Sequence, residues 1–421
     1  MANESPAVIL YDENGNRVGV QDTPLISIPD TYRSTVFGEI RVANAYTLND
    51  LINKYEIDPR EYETATASSG TVIHLPNQSA IQLAVTGASG SSADLRTNTY
   101  FRYQAGKILV IKMTGYNSDA GQTNQTREWG YFDDENGMFF RLSGTTLSIV
   151  RRSFVSGGIV DSVVNQSSWN NDTMDGTGPS GVNLDITKGN IYEIHLAWLG
   201  VGIVRIFING YIVHSFNNSN SLTTPSMTIA QLPLRAYVNN SGASSVGGFT
   251  YICSSIIAQG GQVPPYYSFA AANSVDVTTT NVERPILSIR PKSTYNGIVN
   301  RMEFFPLLLG ASVDGGRATI RIYMDVATLT GASFSSVNAY SGMEFDVNAT
   351  AFTGGELLFV EFLVNTIDYR VQDISSLFNE VGRKMRRNTF NTSGNTMTIT
   401  AIKDFGGNTS ARTSISWKEV R

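Results

Sequence analysis

"WLGVGIVRIFINGYIVHSF", residues 198–216, is apolar almost throughout, with Gly200 and Gly202 near its start and Asn209-Gly210 in its middle. Asn-Gly tolerates the positive φ angles of a tight two-residue turn. The flanking runs Val204-Arg205-Ile206-Phe207-Ile208 and Tyr211-Ile212-Val213 are β-branched and aromatic, so the segment reads as a β-hairpin. Just upstream, Tyr192, Ile194, Leu196 and Trp198 alternate with Glu193, His195 and Ala197. A period of two with one apolar face predicts a third strand, and three such strands form the inner sheet of a sandwich.

The same signals extend outward. Ile108 to Met113 is apolar on both faces, like a central strand, and "YFDDENGMFFRLSGTTLSIVRRSF" (131–154) gives three strands separated by turns at Asn136-Gly137 and Ser143-Gly144. No amphipathic helix interrupts residues 73–273, which are expected to form a first β-sandwich. "QGGQVPPYYSFAAANS" (259–274) reads as a junction. After it, Ala318, Ile320, Ile322, Met324 and Val326 alternate with Arg317, Thr319, Arg321, Tyr323 and Asp325, and Met343, Phe345 and Val347 alternate with Glu344 and Asp346. A second antiparallel sandwich over 274–421 follows, decorated by one short helix at 373–384, where Ile374, Leu377, Phe378 and Val381 recur at helical spacing. The fold class is therefore mainly β: two antiparallel β-sandwich domains.

Residues 1–72 carry little strand alternation and read as an extended N-terminal arm. One short helix is predicted there: Thr47 can cap it, Asp50 stands three residues on, and Leu48, Leu51, Ile52 and Tyr55 share a face. "ETATASSGT" (63–71) reads as a linker. Too poor in apolar residues to form its own core, this arm is expected to dock on a neighbour through Val8, Leu10, Leu48, Leu51, Ile52 and Tyr55.

Composition narrows the function. Charged residues make up 16% of the 421, against roughly 25% in ordinary soluble proteins, and Gly reaches 38. A polar, weakly charged surface suits a lasting neighbour, so a homo-oligomer is expected. A net charge of -5 offers no basic stripe for nucleic acid. The one basic cluster, Arg383-Lys384-Met385-Arg386-Arg387, follows the predicted second helix, where its charge suits the helix C-terminus. Cys253 is alone, which excludes an internal disulfide. The opening "MANESPAVILYDENG" lacks a basic region and a long apolar run, so neither secretory signal nor membrane span is expected, and the sequons at Asn77, Asn171 and Asn408 are read as unglycosylated.

Catalytic signals are sparse. His74, His195 and His214 are the only histidines and none has metal-site spacing; His195 reads as a satisfied histidine beside Glu193. Asp133, Asp134 and Glu135 suit a hairpin turn for backbone reasons, with calcium as the alternative. In "SSWNNDTMDGTGPSGVNLDITKGN" (167–190), Trp169, Asp172, Asp175 and Asp185 accompany Gly176, Gly178 and Gly181. This is either a ligand or subunit-contact loop, or a long loop ordered by a buried Trp and by Asp side chains bonding its own backbone.

These segments, with "NTYFRYQAGKILVIKMTG", "HLAWLGVGIVRIFINGYIVHSF" and "ERPILSIRPKSTYNG", resemble a family of virion structural proteins of tailed bacteriophages and related large viruses, over about residues 97–350. The resemblance implies a capsid-decorating, fibre or tail-appendage protein with jelly-roll or lectin-like sandwiches. It would be assembled into the virion in the host cytoplasm and partnered by other virion proteins. No catalytic residue or cofactor comes with it, and the expectation is a non-enzymatic structural role. The alternative is an adhesin that binds a host-surface glycan, with Trp169, Tyr266 or Tyr267 as stacking platforms. A glycan-cleaving enzyme stands third.

Overall fold

In the computed structural model of the chain, the Asn-Gly hairpin is present as read. Ile208 pairs with Tyr211, and Asn209 and Gly210 carry φ of +51° and +87°, the two positive angles of a type I′ turn. The structure describes residues 10–11, 17–18, 45–260, 266–364, 367–378 and 384–420. The chain divides into a short unit, 1–43, and a large one, 44–421. The short unit contains the two-stranded pair β1 (Leu10–Tyr11) and β2 (Arg17–Val18).

The large unit begins with β3 (Ala45–Ile52), β4 (Tyr62–Ala67), β5 (Thr71–Leu75), β6 (Ala80–Val85) and β7 (Ser92–Thr97). It continues through β8 (Leu109–Asn117), β9 (Gln122–Phe132), β10 (Gly137–Gly144), β11 (Thr146–Ser153) and β12 (Val160–Asn165). Five more strands follow the long loop: β13 (Asn190–Leu196), β14 (Val204–Ile208), β15 (Tyr211–Phe216), β16 (Leu234–Asn240) and β17 (Gly247–Gln259). They form two antiparallel sheets, one of order β12-β11-β10-β9-β16-β7-β4 and one of order β15-β14-β13-β8-β17-β6-β5, with β3 added on β17. Alternation sends Trp129, Tyr131, Phe140 and Leu234 of the first sheet and Ile111, Met113, Tyr192, Ile206 and Phe249 of the second into one shared core. Trp129 ties the layers together: it stacks on Phe249 at 4.9 Å and meets Tyr192 edge-on at 5.2 Å, both across the sandwich.

The second sandwich contains β18 (Tyr267–Val277), β19 (Glu283–Pro291), β20 (Thr294–Tyr295), β21 (Ile298–Val299) and β22 (Glu303–Met324). After it come β23 (Thr328–Thr330), β24 (Ser335–Ser336), β25 (Met343–Asp346), β26 (Ala351–Thr353), β27 (Glu356–Leu363), β28 (Ile367–Asp373) and β29 (Met397–Val420). The two long strands β22 and β29 pair along nearly their whole length, and register shifts at Asp314/Gly316 and Arg317/Ala318 interrupt the ladder. Before the shift the order is β28-β22-β29-β18; after it, β27-β22-β29-β19-β25-β24. Leu309, Val313, Ile415 and Trp417 from one half and Ile320, Ile322, Ile289 and Ile399 from the other share one core, and Asn273 of β18 donates to the Ile286 carbonyl of β19 at 2.7 Å.

Both predicted helices are corrected. Residues 45–52 form a strand: pairing with β17 satisfies their backbone, and Leu48 and Leu51, each 6% exposed, enter the first core, while Ile52 and Tyr55 face solvent at 68% and 81%. The expected arm therefore ends far short of residue 72, because β3 and β4 are integral to the first sandwich; Val8 lies outside the described residues. At 373–384 the described part holds a single 3-10 turn, Ser375–Leu377, with Ile374 and Phe378 buried beside it; Val381 and Arg383 lie outside the described residues. The second sandwich starts earlier than expected, since β18 pairs with β29. No helix among the described residues is long and apolar enough to cross a membrane.

Gly210→Val forces a β-branched residue into a φ that only the turn requires, and is expected to cost about 1–3 kcal/mol. The check is the denaturant midpoint of the variant; an unchanged midpoint would refute the turn's role.

Candidate functional site: the junction of the two sandwiches

The outward face of the seven-stranded sheet is built by alternation. Register places Asp94 and Arg96 of β7 beside Tyr237 and Arg235 of β16, and the latter beside Glu128 and Gly130 of β9. A side chain at Gly130 has no room, for its Cβ would lie 2.7 Å from the Phe139 Cα and 2.8 Å from the Met138 carbonyl oxygen. Beneath the charges lies an apolar floor of Phe132, Phe139 and Val150, with Arg141 and Arg152 over the Phe139 ring and Arg235 over the Phe132 ring.

The charges pair in two groups. Asp94 receives Arg96 Nε and Nη2 at 3.0 and 2.8 Å and Arg235 Nε and Nη2 at 3.0 and 2.8 Å, while Asp134 bridges the same two guanidinium groups at 2.9 Å. Glu128, Arg141, Asp161 and Arg152 form the second group, with Arg141 bonded to both carboxylates at 2.7 and 2.6 Å. The buried members cannot be left unpaired; removing one partner of such a pair typically costs about 3–5 kcal/mol.

Arg96 also faces the second sandwich, its guanidinium 4.7 Å from the centre of the Phe390 ring. Nearby, Arg301 stacks 4.0 Å over Tyr100 and donates to the carbonyls of Asn388 and Thr389 at 2.7 and 2.8 Å. Burial holds the Arg301 pKa below its ordinary value and, with Arg301 opposing it, pushes Tyr100 up to about 12. Asn388 donates to Glu63 Oε1 at 2.9 Å, and Arg386 Nη2 donates to the Arg60 carbonyl at 2.7 Å. These contacts join the sandwiches through polar groups while each keeps its own apolar core.

Beside them opens a cleft of about 1020 Å³ lined by 58–64, 324–326, 386–388 and 393–396 together with Asn98, Glu356 and Lys384. Its acceptors include Glu61, Glu63 and Asp325, and its donors include Arg386, Asn388 and Asn395, the last donating to both Asp325 oxygens at 3.1 and 2.9 Å. Lys384 is withdrawn from the cleft chemistry by a buried 2.7 Å pair with Glu303. The described part of the basic run, Lys384 to Arg387, is not helical: Met385 forms a β-bridge with Phe304, and Arg387 with Gly394.

The residues singled out from sequence occupy other places. Trp169 is buried and donates from Nε1 to the Val164 carbonyl at 3.3 Å, which removes it as a stacking platform. Asp172 accepts the Met174 and Ser180 backbone N–H groups at 2.8 and 2.7 Å, Asp175 the Thr177 N–H at 2.9 Å and Asp185 the Thr187 N–H at 2.9 Å. The loop is therefore ordered by its own Asp side chains. Tyr266 and Tyr267 are exposed at the start of β18, with Tyr266 edge-on to Phe305 at 6.4 Å. Asp133 closes its turn by accepting the Glu135 and Asn136 N–H groups at 2.9 and 2.8 Å. Among the described residues no three His, Cys, Asp or Glu side chains converge. His195 is buried against Phe207 and 3.3 Å from Glu193, and burial lowers the His214 pKa where its Nδ1 accepts the Asn170 N–H at 3.2 Å.

Sequence reading missed the sheet-face network and the cleft. The signal for the first was present as charges alternating with apolar residues in "SADLRT", "REWGYF" and "LRAYVNN", but which charges meet depends on a strand order the sequence does not announce.

No family model matches the chain, and no curated protein matches it. Among solved structures, the chain is similar to the carbohydrate recognition domain of Emp47p (11% identity, 51% of this chain and 95% of that one, TM-score 0.32). It is similar also to an endo-β-1,4-glucuronan lyase from the fungus Trichoderma reesei (10% identity, 49% and 94%, TM-score 0.32). A third is β-agarase A from Zobellia galactanivorans (11% identity, 51% and 92%, TM-score 0.34). The β-sandwich architecture itself stands on the strand order and cores described above.

Burial would raise the Asp134 pKa, but its bonds and attraction to Arg96 and Arg235 win and hold it down at about 2. A depressed folded pKa contributes stability that is present above the unfolded value of about 3.9 and is lost as pH falls towards 2. Its side chain is 66% exposed, so solvent screens the effect. Asp134→Asn is expected to flatten the acid limb of stability between about pH 4 and 2 in a denaturation series; an acid limb identical to the parent's would contradict it.

Proposed function

We propose that the chain is a glycan-binding β-sandwich protein, that the cleft between its sandwiches is the binding site, and that it serves as a non-enzymatic component of a bacteriophage virion. The observation that carries the binding reading is the lining of that cleft. A sugar hydroxyl both donates and accepts, and the cleft sets carboxylate acceptors from both sandwiches (Glu61, Glu63, Asp325) among guanidinium and amide donors of the second (Arg386, Asn388, Asn395). The mixture of signs favours a neutral ligand over a strongly charged one, and the size, at about 1020 Å³, lies at the upper end for ligand pockets.

The virion setting is supported by the ordered motifs over residues 97–350 and by one surface feature. Leu357, Val360 and Phe362 on β27 and Tyr369 and Val371 on β28 are exposed, apolar side chains of the kind that attachment to neighbouring proteins covers.

The test is calorimetric titration of the full chain with neutral oligosaccharides from bacterial surfaces. Binding is expected, with Glu61→Ala and Arg386→Gln each weakening it at least about tenfold, or about 1.4 kcal/mol, while the unfolding midpoint holds. Absence of binding across the panel, or binding indifferent to both substitutions, would overturn the assignment. Release of shortened sugars during the titration would overturn the non-enzymatic part.

A further inference from the structure

Strand β18 is paired on one side only. Its eleven residues, Tyr267–Val277, run antiparallel to β29 in unbroken register, and no second strand lies on its other edge among the described residues. Among the described residues the edge carries few of the usual protections: "YSFAAANSVDV" has no Pro, no Lys and no bulge, and only one charge, Asp276. One edge carbonyl, that of Asp276, is taken by Arg284 Nη1 at 3.1 Å. A long, unbulged, weakly charged edge of this kind is a template for another strand.

We propose that β18 pairs with β18 of a second copy of this chain across a twofold axis, joining the two β28-β22-β29-β18 half-sheets into one continuous sheet. The register follows from the residues. Centring the antiparallel pair on Ala272 uses all eleven residues and sets Tyr267 opposite Val277, Phe269 opposite Val275, Ala270 opposite Ser274 and Ser268 opposite Asp276. Ser, Ala and Asp276 then meet along one face, and the pairs Tyr267–Val277 and Phe269–Val275 flank Ala271–Asn273 along the other. Charge selects the same register. Ser268 is paired with Lys418 on β29, so Asp276 of one copy enters the row that ends in Lys418 of the other, twice by symmetry. Neither Asp276 nor Lys418 has an ion-pair partner among the described residues; the Lys418 ammonium lies 4.6 Å from the centre of the exposed Tyr266 ring. A shift of two residues either way would leave part of the strand unpaired and move Asp276 out of that row.

The test is a charge-swap cycle on the full chain, read by analytical ultracentrifugation across a concentration series. The parent is expected to sediment as a dimer. Asp276→Lys and Lys418→Asp should each raise the dissociation constant at least about tenfold by setting like charges in one row, and the double variant should restore it to within a few fold. A parent that stays monomeric, or a dimer indifferent to either substitution, would overturn the proposal. A double variant no tighter than the singles would do the same, since it would place the contact with residues 1–43 or another surface rather than with a second β18. Cooperative unfolding of each variant separates loss of pairing from loss of fold.

Discussion

Asp94 sits between two guanidinium groups on adjacent strands, and the junction is organised around it. A carboxylate this buried must be paired, and pairing it with Arg96 of its own strand and Arg235 of the next ties the side chains of β7 and β16 together in the register their ladder sets. With three of its nitrogens held by Asp94 and Asp134, the Arg96 guanidinium is locked in plane, and the face left over receives Phe390 from the second sandwich. Arg301 on Tyr100 repeats the arrangement from the other side. The cleft lies where these contacts stop.

Apolar burial and polar pairing divide the labour. Two separate cores, one around Trp129 and one around Trp417, drive the folding of the sandwiches, because area removed from water is non-directional and needs only alternation and volume. Hydrogen bonds and stacked guanidinium groups contribute less to stability but are directional, so they decide how one sandwich meets the other. That explains why the junction is rich in Arg and Asn although the chain as a whole is poor in charge.

How much was legible follows from the range of each signal. The hairpin at Asn209-Gly210, the three strands of 131–154 and the alternation at Ala318–Met324 are local patterns, and all appear in the structure. Residues 45–52 carry a helical spacing of Leu48, Leu51 and Ile52, yet they form a strand because the edge of β17 offers backbone partners that only tertiary structure provides. By sequence alone the loop of 167–190 fits either ligand contact or self-ordering; in the structure its Asp side chains accept hydrogen bonds from their own backbone. The cleft joins residues near 60 to residues near 390, a separation that no periodicity or spacing rule bridges, and its donors came disguised as a basic run behind a predicted helix.

Hydrogen exchange with and without a saturating neutral oligosaccharide reports where a ligand sits on the chain. With a ligand in the cleft, exchange slows in residues 58–64 and 384–396 together, the two sides of the cleft, while the long loop of 167–190 is unchanged. Protection confined to one sandwich, or centred on that loop, would contradict that placement.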